Sequence, residues 1–210
     1  MLDAHDVLKT AKQVLAHWPQ VNAALPKPLL LQKSYTLANL TTDIAALESA
    51  LQALPGQENA FGLVLTGRDT QKDVLKEKLK QFRAAVQSEL AGTAFLHELP
   101  TQPHKQAAEA SFLKTFDDAA DLWERINALT PPDFTPPLTL ADDYALAQFQ
   151  ANLQKLRDGF QQGRVETSTT ATHRQGVKDT TSALWERVKQ YRKGCVAKLP
   201  TGHALLTNVP

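Results

Sequence analysis

Apolar residues along this chain recur every third or fourth position, the period of one face of an α-helix. Val7, Leu8, Ala11, Val14, Leu15 and Trp18 mark a first helix over about 3–18, with Pro19 as its expected stop or kink. Pro26 and Pro28 bracket a short rigid connection, followed by Leu29, Leu30 and Leu31, an apolar run that is either a docking segment or a helix start. Leu37, Leu40, Ile44, Leu47, Leu51 and Leu54 then alternate strictly by three and four, which predicts a second helix terminated by Pro55-Gly56. A stripe of that length fits a seam inside a bundle better than an intermolecular coiled coil, which needs more sustained heptads.

The segment 55–67 combines three of the nine glycines with Phe61, Leu63, Val64 and Leu65, and reads as a packed loop or one short strand. A third helix is expected over about 68–98, with Leu75, Leu79, Phe82, Val86 and Leu90 inward and Gly92 fraying its last turns. The fourth, about 105–129, has the seam Phe112, Phe116, Ala119, Trp123 and Ile126, and ends at the proline-rich Thr130-Pro-Pro-Asp-Phe-Thr-Pro-Pro-Leu. Thr139 and Asp142 resemble a capping box opening a fifth helix, whose seam is Leu146, Phe149, Leu153, Leu156 and Phe160. A sixth carries Val177, Thr181, Leu184, Val188, Tyr191 and Cys195.

Between these last two, residues 159–176 are rich in Thr and Ser and have low helix propensity, which favours a hinge. The step from Phe160 to Val177 nevertheless keeps the heptad phase, so one uninterrupted helix of about 80 Å is the competing solution at 1.5 Å per residue. A helix that long would not be covered by its neighbours and would imply a partner chain. Leu122-Trp-Glu-Arg-Ile126 and Leu184-Trp-Glu-Arg-Val188 echo one another, but identity around them is sparse, which favours convergence of two amphipathic helices over duplication.

The pattern therefore predicts an all-α fold: an antiparallel bundle of about five to six amphipathic helices with proline-rich connections, as a single domain over 1–210. Eight Phe, three Tyr and three Trp leave a core mainly of Leu, Ala and Val, which suits helix. The segment 199–210 breaks helix and then presents Leu205, Leu206 and Val209, an apolar tail that docks on the bundle or on a neighbouring subunit as an assembly contact.

The formal net charge of +1 supplies no global attraction for nucleic acid or an anionic membrane, so nucleic acid is not an expected partner. Its candidate contacts are confined to a basic cluster in the last helix, Arg187, Lys189, Arg192, Lys193 and Lys198, much of which the negative helix C-terminus already explains. No apolar window reaches membrane-spanning length, the acidic N-terminus does not read as a signal peptide, and the single Cys195 fits a reducing compartment. The expected location is the cytoplasm.

The chemistry-bearing residues form no constellation. No Glu precedes a His by three, and His5, His17, His97, His104, His173 and His203 are scattered, so no metal ligands are expected. Gly56, Gly62 and Gly67 are too widely spaced to cradle phosphate, and the pairs Asp117-Asp118 and Asp142-Asp143 diverge around a helix. Cys195 is a seam residue and reads as a small buried hydrophobe. The expectation is a non-enzymatic structural or scaffold protein, without cofactors, that self-associates through helix faces or binds a protein partner. The alternative is a helical binding module for a small apolar ligand, a peptide or nucleic acid.

Overall fold

The computed structural model describes residues 3–104, 106–129 and 134–210. It is all-helical: α1 is Ala4–Ala24, α2 Leu37–Glu89, α3 Glu109–Asn127, α4 Leu146–Lys198 and α5 Ala204–Thr207. Short 3-10 turns lie at Gln32–Ser34, Ala94–Glu98 and Ala141–Asp143, and no strand occurs among the described residues. Lys105, where the fourth helix was expected to begin, and Thr130–Asp133 of the proline-rich stretch lie outside the described residues.

Both long helices run through the predicted breaks. Pro55-Gly56 does not end α2, and 55–67, expected as loop or strand, is helical. The hinge favoured over 159–176 is absent, since α4 is continuous. A proline inside a helix costs about 3 kcal/mol through one lost hydrogen bond and a clash with the carbonyl four residues back. Here the flanks decide: Leu40, Ile44 and Leu47 are buried before Pro55, and Leu75, Leu79, Phe82 and Val86 after the glycines. Pro19 is likewise inside α1, where Trp18 and Val21 on either side are fully buried. Asp3 caps α1, its Oδ1 accepting from the amides of His5 (2.8 Å) and Asp6 (3.1 Å).

Other boundaries move by a turn or two. The third predicted helix ends at Glu89 rather than 98, and Gly92 follows it at φ +85°, a conformation that glycine adopts without strain. Thr139 and Asp142 do not open α4; Gln148 Oε1 accepts from Ala145 N at 3.0 Å, one turn further on.

The chain forms two compact units. One comprises Met1–Asn59 with Thr167–Pro210, the other Ala60–Glu166. In the first, Val7, Ala11, Val14 and Trp18 of α1 pack with Leu40, Ile44 and Leu47 of α2 and with Leu184, Val188, Tyr191 and Cys195 of α4. In the second, Phe112, Phe116, Ala119 and Trp123 of α3 pack with Leu75, Leu79, Phe82 and Val86 of α2 and with Phe149, Leu153 and Leu156 of α4.

Position for position, the two cores have the same plan, and the chain repeats with them in sequence. Trp18-Pro-Gln-Val-Asn-Ala matches Trp123-Glu-Arg-Ile-Asn-Ala, and Leu29-Leu-Leu-Gln-Lys-Ser-Tyr-Thr-Leu-Ala matches Leu138-Thr-Leu-Ala-Asp-Asp-Tyr-Ala-Leu-Ala. After each match comes a helix of 53 residues. The structure repeats with the sequence. Leu29 N donates to Asn22 Oδ1 at 2.9 Å and Leu138 N to Asn127 Oδ1 at 2.8 Å. Bridges join Leu31 to Tyr35 and Leu140 to Tyr144, each around two residues of positive φ, Lys33 and Ser34 in one and Asp142 and Asp143 in the other. Trp18 packs on Tyr191 and Trp123 on Phe82, both with ring centroids 5.0 Å apart.

The first unit therefore takes its opening helix, its turn and the start of its long helix from the first repeat, but its last core segment from the second. The second unit is built the converse way. An unbroken helix cannot bring its own end back to its own start, so helical continuity through 55–67 and 159–176 makes this exchange of halves obligatory.

Candidate functional site

The residues expected to contact polyanions are largely occupied within the chain. Arg187 lies over the Tyr35 ring at 4.4 Å and donates to Gln190 Oε1 at 3.0 Å. Arg192 stacks on Trp185 at 5.2 Å and donates from Nε to the Pro210 carbonyl. Lys189 pairs with Glu186, while Lys193 and Lys198 are exposed. Arg187 and Arg192 are thus drawn to different partners.

Part of that cluster is architectural, because its contacts are duplicated. Lys78 lies over the Tyr144 ring at 4.4 Å and donates to Gln81 Oε1 at 3.1 Å, the counterpart of Arg187, Tyr35 and Gln190. Tyr35 Oη donates to Asp43 at 2.6 Å, and Asn152 donates to Tyr144 Oη at 2.8 Å. Arg83 reaches the Pro100 carbonyl as Arg192 reaches Pro210. In each case a cation from one repeat sits on the turn tyrosine of the other, a cation–π contact worth about 0.5–2 kcal/mol. Burial, with Asp43 as acceptor, pushes the Tyr35 hydroxyl far above its ordinary range, and burial raises that of Tyr144.

Leu205, Leu206 and Val209 of the C-terminal segment are half-buried against the core of the first unit. Leu96 and Leu99, at matching positions after α2, pack against the core of the second.

Where the two cores differ, the first is more polar. His17, Tyr191 and Cys195 occupy the places of Leu122, Phe82 and Val86. His17 Nδ1 and Tyr191 Oη share a 2.6 Å hydrogen bond, and Cys195 is buried one helical turn beyond Tyr191. Burial, with Cys195 beside it, pushes the Tyr191 hydroxyl far upward, and burial raises the Cys195 thiol, so this sulfur is held as a neutral thiol and not as a nucleophilic thiolate. His17 Nε2 and Trp18 Nε1 are buried without a hydrogen-bond partner, whereas Trp123 Nε1 donates to Leu138 O at 3.0 Å.

The outer surface of the second unit has a further asymmetric feature. Ala60, Leu63, Gly67, Thr70 and Val74 follow a heptad spacing along an exposed face of α2, with Leu63 74% and Val74 38% exposed. Beside it, an open groove of about 460 Å³ is lined by Leu63, Val64, Arg68, Lys155, Asp158 and Gln162, and Val165, 56% exposed, continues the α4 wall by one turn. Arg68 is engaged by Asp69 (2.9 Å) and by the Phe160 ring (5.5 Å). Sequence alone does not single out this face, because the apolar residues of 55–67 also suit a loop or strand; the periodicity becomes visible only once 55–67 is helical. No family model matches the chain, and comparison with curated proteins and with solved structures finds no match.

Proposed function

We propose that the protein is a structural or scaffold component without enzymatic activity, self-associating through helix faces. The observation that carries this is the set of large apolar side chains left exposed where the long helices carry few apolar core residues, although Gly163, Thr170 and Thr181 of α4 are buried there. No residue of α2 between 52 and 74 belongs to either apolar core, and in α4 between 161 and 183 only Val177 packs against one. Helices owe most of their stability to tertiary packing of an apolar face, so a partner on the exposed Leu63, Val74 and Val165 supplies what these stretches lack.

The antiparallel bundle belongs to the same reading, and is supported within the second unit by contacts in opposite order along α2 and α4: Arg68 lies beside Gly159, while Gln71 donates to the Asn152 carbonyl at 3.4 Å. Pro26, Pro28, Pro136 and Pro137 in the connections fit its proline-rich links. No helix among the described residues is long and apolar enough to cross a membrane. Sedimentation velocity across a concentration series tests the proposal: species heavier than one 23.1 kDa chain are expected. A strict monomer at high concentration contradicts it.

A further inference from the structure

We infer that the partner on the second unit is a second copy of this chain, docked about a two-fold axis on the α2–α4 groove to form a closed dimer. This rests on the self-association proposed above and specifies its surface, symmetry and stoichiometry.

Charge carries the choice of partner. Lys155, Asp158, Gln162 and Val165 follow one another by three, four and three, so they form a single stripe on α4. Lys155 and Asp158 are exposed, opposite in sign and one turn apart, and among the described residues no ion pair engages either; Asp158 accepts from Gln154 Nε2 at 2.8 Å. Such a stripe is complementary to itself when two copies run in opposite directions. A two-fold axis between the residues sets Lys155 of each chain against Asp158 of the other, while Leu63 and Val74 supply the apolar part of the contact.

Divergence between the repeats supports the same face and limits its number. At the matching positions of the first unit stand Thr172 for Leu63, Ala183 for Val74, Gly56 for Val165, Ala46 for Lys155 and Ser49 for Asp158. At these five positions the face is replaced there by small uncharged residues, whereas Val64, Arg68 and Thr70 match His173, Val177 and Asp179. One face per chain, used isologously, closes at two copies and leaves nothing to propagate a filament.

The test is sedimentation equilibrium on the full chain and on Leu63→Asp, Lys155→Glu, Asp158→Lys and the double variant Lys155→Glu/Asp158→Lys. Circular dichroism melts verify that each remains folded, as expected for substitutions at exposed positions. The expected wild-type mass is twice that of one chain. Leu63→Asp weakens the dimer at least about tenfold, each charge reversal weakens it about three- to tenfold, and the double reversal restores it, because the swapped charges again face opposites. If the wild type associates but none of the variants changes the constant, this face is wrong while self-association stands. If the dimer weakens with Leu63→Asp but the double reversal fails to restore it, the two-fold pairing is overturned. A monomeric wild type overturns both readings.

Discussion

His17, Tyr191 and Cys195 show what a polar group in a helical core requires. The same positions in the other unit, Leu122, Phe82 and Val86, need no hydrogen bonds, and there the core closes with apolar contacts alone. In the first unit the His17–Tyr191 bond is already incomplete at Nε2. Tyr191→Phe therefore leaves the buried imidazole with two unpartnered nitrogens and should lower unfolding free energy by about 1–3 kcal/mol. His17→Leu combined with Tyr191→Phe should cost less than the sum of the single changes, since both polar groups leave together. Urea denaturation of the four proteins in the cycle measures this; additive costs would show that the two groups do not depend on one another.

The tyrosines give a pH dependence at the same scale. Tyr35, Tyr144 and Tyr191 are all raised above their ordinary value, chiefly by burial. A raised native value favours the protonated form in the fold, so this contribution is complete below the unfolded value of about 10 and is lost as pH rises above it. Tyrosinate absorbance should consequently appear together with alkaline unfolding. Tyrosinate forming near pH 10 with near-ultraviolet circular dichroism intact would contradict the burial of these rings.

Among the elements, the long helices are strong at the ends and thin between. Core residues anchor α2 before Leu51 and after Leu75, while Pro55, Gly56, Gly62 and Gly67 fall in the stretch that no core covers. Amide exchange should be faster over 52–74 than over α3, whose Phe112, Phe116, Trp123 and Ile126 are buried at 0–1% exposure. Uniform protection along α2 would contradict the uneven packing. The same distribution explains what was legible beforehand. Each core-facing seam could be counted from Leu, Phe and Trp spacing, because burial selects those letters. The intervening stretches could not, because local propensity at Pro55-Gly56 and in the Thr-rich 165–172 points away from helix, and the decisive influence is packing on distant flanks. Of the expected site residues, Arg187 and Arg192 were recognisable as cations, but their use against Tyr35 and Pro210 depends on turns and tails remote in sequence.

For the whole molecule, the internal repeat organises everything else, and its signal is plain in the sequence. Leu-x-Leu-x-x-x-Tyr-x-Leu-Ala occurs at 29–38 and again at 138–147. The more conspicuous echo, Leu-Trp-Glu-Arg, joins unrelated places: Trp123 is fully buried in α3, whereas Trp185 is half-buried in α4 under Arg192. The short match misleads because it sits on helices of different rank in the repeat. The true match spans a turn whose conformation requires those residues.

Because α2 and α4 do not bend back, each repeat completes the core of the other, and the cation on each turn tyrosine comes from the opposite repeat. Nuclear Overhauser contacts from the tyrosine rings report this directly. The Tyr35 ring should contact the Arg187 side chain, and the Tyr144 ring should contact Lys78. Contacts from Tyr35 to Lys78 and from Tyr144 to Arg187 would mean that each repeat folds on itself, and would contradict the exchange of halves.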